Sequence, residues 1–202
     1  MSKQLLNEAE LLLFGHWEQA THLERSLERI RQKYSALYSQ VADEVRKAHP
    51  KLDGNVTYIT QRWGDGTIGF SRKCWPEGAG DWPPGLWIEN LRLEILVDDS
   101  APPPLATIWI PPKACKVLGK DVSFVRERFQ TRAREILTPD EFKRHILCDG
   151  TDNSVLYIRT ISKRELIEGI SPDEGHGLVQ ALAREIDEMT LLLPAIDEAF
   201  GS

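Results

Sequence analysis

VTYITQRWGDGTIGFSRKC, residues 56–74, decides the fold class. Val56 to Trp63 is rich in β-branched and aromatic residues. Gly64-Asp65-Gly66 makes a tight turn, and Thr67 to Cys74 returns beside the first run. That is the grammar of a β-hairpin, so the chain contains an antiparallel sheet. Upstream the period is helical. Leu23, Leu27, Ile30, Tyr34, Leu37 and Val41 recur at alternating spacings of four and three. This seam predicts a helix from about Glu18 to Ala48, ending before Pro50, with an apolar stripe that must be covered. A shorter amphipathic helix is expected over residues 3 to 14, and Lys51 to Gly54 is a turn.

Downstream of the hairpin, Trp75 to Gly85 carries Pro76, Gly78, Gly80, Pro83 and Pro84 and reads as an irregular loop. Leu86 to Asp98 alternates, with Trp87, Glu89, Leu91, Leu93, Ile95 and Val97 on one face, and is expected to be the longest strand. Leu105 to Ile110 makes a fourth strand, stopped by Pro111 and Pro112. The second half turns helical. Val122, Val125, Phe129, Ala133 and Ile136 mark one helix, and Thr138-Pro139-Asp140-Glu141 opens another with a capping box. Val155 to Ile161 is a fifth strand. Ser171-Pro172-Asp173-Glu174 repeats the capping grammar ahead of a C-terminal seam, Val179, Leu182, Ile186, Met189, Leu193, Ile196 and Phe200, kinked at Pro194.

The expected architecture is α+β: an antiparallel sheet of about five strands packed by helices, with the N- and C-terminal helices paired. Residues 1–50 form a helical segment and residues 51–202 an α+β domain, together one compact unit of a size that suits a single core.

Composition narrows the function classes. The chain has 202 residues, 41% of them hydrophobic and 28% charged, and a formal charge of -6, which argues against wholesale disorder and against a general nucleic-acid-coating role. Cys74, Cys115 and Cys148 are widely spaced and form no C-x-x-C pair, which fits a reducing, cytoplasmic setting. The run Leu11-Leu12-Leu13-Phe14 is too short and too acidic in its flank for a signal peptide. No stretch reaches the length needed to span a bilayer.

No catalytic or metal-binding pattern stands out, and no cofactor is expected. Gly64-x-Gly66-x-x-Gly69 matches a dinucleotide fingerprint in spelling, yet it joins two strands where that fold needs a strand and a helix. Pro139-Asp140 with Glu141-x-Lys143 has the letters of a metal-dependent nuclease site. These residues are consecutive at a helix start, so they cannot converge on one ion. No H-E-x-x-H motif and no G-x-S-x-G elbow occur. An enzyme reading would need Glu89, Glu94, Asp98 or His145 to meet in three dimensions.

The favoured reading is a non-enzymatic protein-binding module, such as an adaptor, regulator or inhibitor of a larger machine. Its candidate partner contacts are Trp75, Trp82, Trp87 and Asp81 on or beside the Trp/Pro/Gly loop, since rigidly held Trp residues anchor interfaces. The terminal seams offer a homodimer as a second route. The alternative is a nucleic-acid-binding protein with a degenerate nuclease-like fold, contacting phosphates through Lys113, Lys116, Lys120, Arg128 and Arg132.

Overall fold

The computed structural model describes residues 15–59, 66–76, 83–146, 155–169 and 176–201. Helix α1 (Trp17–Ala48) leads into a sheet of five strands: β1 (Val56–Ile59), β2 (Thr67–Phe70), β3 (Gly85–Glu89), β4 (Leu105–Trp109) and β5 (Val155–Thr160). The strands lie in chain order and every neighbouring pair is antiparallel. The hairpin and the α+β class are therefore as the sequence implies. Between β3 and β4 lies a short helix, α2 (Leu93–Val97). Between β4 and β5 run α3 (Pro112–Val117), α4 (Val122–Ile136) and α5 (Pro139–His145). After β5 come α6 (Lys163–Glu168), α7 (His176–Thr190) and α8 (Leu193–Phe200). The expected helix over 3–14 and the capping motif at 171–174 lie outside the described residues.

Register sets the core. Ile68 pairs with Ile88, Leu86 with Ile108 and Ile88 with Ala106, so these residues share one face of the sheet. All are buried beneath α7, whose own stripe of Leu178, Val179, Leu182, Ile186 and Met189 is also buried. Helix α1 packs along α7, so the N-terminal helix pairs with the first part of the C-terminal seam. The C-terminal seam divides at Pro194. Proline in the second position of α8 starts a new helix rather than kinking an old one, and α8 packs on α4.

One expectation changes. The long strand over 86–98 ends at Glu89, because Asn90 takes a left-handed φ of 61° and turns the chain out of the sheet. Asn90 Nδ2 donates to the Pro103 carbonyl (3.0 Å), which holds that turn. Leu93–Val97 then coils, burying Leu96 and exposing Val97, where alternation required Val97 to face inward. Pro111 and Pro112 stop β4 as expected, and Pro112 also opens α3, since proline suits the first turn of a helix. Lys163–Glu168 is also helical, capped by Ser162, whose hydroxyl accepts from the Glu165 amide.

Candidate functional site

Two regions emerge as candidates. One is the first half of α1. The helix is 32 residues long, and its last turns are held firmly. Leu37, Tyr38, Val41, Ala42 and Val45 are buried. The Tyr38 hydroxyl donates to the Leu91 carbonyl (2.7 Å), and His49 pairs with Asp187 of α7. Ahead of residue 37, two seam residues, Leu23 and Ile30, are exposed. Trp17 is 67% exposed, Leu23 62% and Ile30 48%. The charged face carries Glu24, Arg25, Glu28 and Arg29, all exposed. Leu23 and Ile30, two turns apart on one stripe, therefore stand in water, with Trp17 beside the stripe near the helix start.

The second region is a cleft of 720 Å³ between α5, β5 and the end of α7. Its titratable groups are His145, Tyr157, Arg159 and Glu188, with Arg144 and Glu141 at the rim. His145 Nδ1 donates to the Ile158 carbonyl (3.3 Å), so its Nε2 is the free acceptor. Burial pushes the imidazole below its ordinary value and favours the neutral ring. The ring lies 5.5 Å from that of Tyr157, whose phenol burial pushes upward. Arg159 reaches two carboxylates of α7. Its Nε is 3.5 Å from Glu185 Oε2, an ionic contact without hydrogen-bond geometry, and its Nη1 pairs with Glu188. Burial drives the Glu185 carboxyl upward despite the guanidinium beside it.

That cleft is arranged to hold itself together more than to react. The guanidinium is engaged by two carboxylates. Glu141, one turn before His145, is spent on the capping box: it accepts from the Thr138 amide (2.9 Å) and hydroxyl (2.6 Å). These bonds hold its carboxyl below the usual range. Of the four side chains that an assembled enzyme site would need, only His145 lines the cleft. Glu89 accepts from the Thr107 hydroxyl (2.7 Å), Glu94 lies 3.7 Å from Arg92, and Asp98 accepts from Ser100. Among the described residues no group of three His, Cys, Asp or Glu is placed to hold a metal ion.

The candidate Trp contacts are corrected in part. Trp75 and Trp87 are buried, where a docking surface needs them exposed. The Trp75 ring meets Phe200 at 6.2 Å, and its Nε1 donates to Asp197 Oδ1 (2.8 Å). Arg72 pairs with the same carboxylate, so the segment after β2 clasps α8. Trp87 lies across its cross-strand partner Gly69. The Trp75 N–H finds Asp197 as its acceptor, and Gly69, with no side chain, leaves room for the Trp87 ring. Asp81 and Trp82 lie outside the described residues.

The basic stretch is largely consumed by the acidic C-terminal helix. Lys120 Nζ donates to the Phe200 carbonyl (2.7 Å). Arg128 lies 3.9 Å from Glu198 and Arg132 3.7 Å from it, with Glu135 as a second partner for Arg132. Lys113 and Lys116 remain exposed on α3. Three of the five proposed phosphate contacts therefore serve to dock α8 on α4. Arg159, Glu185 and Glu188 were not singled out by the sequence. The available signal was Glu185 standing three residues after Leu182 and one before Ile186, on the buried stripe.

No helix among the described residues is long and apolar enough to cross a membrane. Comparison with known protein families, with curated proteins and with solved structures finds no match to this chain.

Proposed function

We propose that the protein is a non-enzymatic protein-binding module that engages its partner through the projecting half of α1. One observation carries this reading. An anchored helix carries apolar residues past its own core, leaving the seam residues Leu23 and Ile30, and Trp17 beside the seam, about half exposed or more. Single exposed apolar residues are ordinary, whereas two on one helical stripe with a Trp beside them have the form that helix-in-groove and helix-on-helix recognition take. Burial of Trp75 and Trp87 takes away two of the four loop contacts, and the exposure of Leu23 and Ile30 favours this helix as the binding face.

The test is isolation of the native complex after nuclease treatment, with the full chain and with Leu23→Glu and Ile30→Glu variants. The expected result is a stoichiometric protein partner that survives nuclease and is lost from both variants, while their thermal midpoints stay at the parent value. Retention of the partner by both variants, or its loss on nuclease treatment, overturns the reading.

A further inference from the structure

We propose that the cleft along β5 is a second protein-binding site, which takes an extended segment of a partner, bearing an apolar and an acidic side chain, as one more strand on the edge of the sheet. This site is separate from the projecting half of α1, and neither depends on the other.

β5 is the last strand of the sheet, and β4 takes only one of its two edges. The alternation of an antiparallel ladder fixes which main-chain groups face outward. The Ile161 amide donates to the Pro104 carbonyl (2.9 Å), so residue 161 faces β4, and residue 159 with it. Residues 158 and 160 therefore turn their N–H and C=O groups away from β4, into the cleft they line. The bond from His145 Nδ1 to the Ile158 carbonyl (3.3 Å) agrees with that direction. The first part of this outer edge is already covered, since Ile146 bridges to Tyr157 and the imidazole holds Ile158. At Thr160 the cover stops. Thr160 is exposed, and its outward N–H and C=O find no partner among the described residues. An open edge of this kind is a template for an added strand.

Side chains choose the occupant. In an added strand, the residue beside Thr160 turns its side chain to the face of Thr160, and its two neighbours turn theirs to the face of Arg159. That face leads to α7, because Arg159 pairs with Glu188. At the end of α7, Leu191 is 60% exposed beside the buried Leu192, and both line the cleft. An apolar side chain of the occupant covers Leu191. Charge selects the second side chain. Arg159 is engaged by Glu188, and Glu141 by Thr138. Arg144 lines the same cleft, is exposed and forms no ion pair with a described residue. An acidic side chain of the occupant answers that guanidinium. A helical partner has no free main-chain groups to offer Thr160, so the occupant is extended.

Display of a random peptide library against the immobilised full chain tests this. Enriched sequences are expected to combine apolar with acidic residues and, titrated into the isotope-labelled chain, to shift the amide resonances of Ile158 and Thr160. Thr160→Pro removes the outward N–H and no bond to β4, a place where a sheet edge tolerates proline. It is expected to weaken the enriched peptides about tenfold. Arg144→Glu is expected to weaken them about tenfold as well, and in its own display to enrich Lys or Arg in place of the acid. If Thr160→Pro does not fold, N-methylation of the peptide at each residue in turn replaces it, and one methyl must abolish binding. No enrichment over a bare surface, peptides that either folded variant binds as tightly as the parent, or binding that survives every N-methylation overturns the proposal. Peptides lost from Leu23→Glu and kept by Arg144→Glu belong to α1, so that the cleft proposal falls and the reading of α1 stands. Loss of the native partner from Leu23→Glu is the separate measure of α1, and cleft peptides stay bound to that variant.

Discussion

Gly69 shows how one residue can carry a sheet. A Cβ at this position would stand 2.3 Å from the Trp87 ring, far inside contact distance. The indole lies on the bare backbone of the facing strand, and this accounts for the last glycine of the G-x-G-x-x-G run. Gly66, at φ 71°, accounts for the middle one: its carbonyl accepts from the Leu91 amide (2.7 Å). Gly69→Ala is expected to destabilise by about 1–3 kcal/mol through overpacking, measured by urea denaturation. Gly119→Ala, with open space around it, costs only the strain of its positive φ, about 1 kcal/mol. Trp75 carries two separable contributions. Trp75→Phe loses the bond to Asp197 and costs about 1–3 kcal/mol, while Trp75→Ala also loses the packing on Phe200 and costs about 3–5 kcal/mol. Equal losses in the two variants would show that the hydrogen bond, not the ring, holds α8. Glu185 yields a pH prediction. Its folded carboxyl titrates above its unfolded one, so between the two the folded state binds more protons. Its contribution to stability is therefore full below the unfolded value and is lost as pH rises through the folded value. Glu185→Gln, with Glu188 still pairing Arg159, is expected to gain on the parent as pH climbs from the acid range to neutrality. Thermal midpoints of both proteins across that range check this, and a gap that shrinks with rising pH refutes it.

At the scale of elements, the reading fails where one backbone angle overrides a side-chain pattern. The hairpin, β4, α4, α5 and β5 were legible because period, turn residues and caps agree within each segment. Residues 86–98 alternate well enough to pass for one strand, yet Asn90 breaks them at its fifth residue. Asparagine tolerates the left-handed region, but nothing in its spelling announces that it will adopt it. Asn90→Val is expected to cost about 1–2 kcal/mol or more, since a β-branched residue fits that conformation worst. Asn90→Gly, which loses only the bond to Pro103, stays within about 1 kcal/mol of the parent. If both cost the same, the side-chain bond governs the turn and the backbone angle does not. The candidate site was less legible for a related reason. Exposure of Trp75 was inferred from a loop rich in proline and glycine, and loops of that composition surround buried rings as readily as exposed ones. The burial depends on Asp197, 122 residues away in sequence. The basic run from Lys113 to Arg144 resembled an anion surface until its partner, Glu198, came into contact through α8. Heptad spacing, by contrast, did identify the stripe on α1, though not the residue at which its own core ceases to cover it.

Across the whole molecule, stability is divided unevenly along a single helix. The half of α1 from Leu37 onward shares its burial with the sheet and α7, so its amides open only when much of the core opens. The half before it rests on local propensity and exposed side-chain pairs, such as Gln32 donating to Glu28 (3.3 Å). An unsupported helix of about twenty residues is marginal in water. Hydrogen exchange of the dilute chain is therefore expected to show a step. Amides of residues 20–33 exchange within about a hundredfold of an unstructured rate, and those of residues 41–48 more slowly by several further orders of magnitude. In Ile30→Glu the step should persist. Uniform protection along α1 at low concentration would mean that the projecting half is covered within its own chain, and the exposed seam would lose its standing as a binding face.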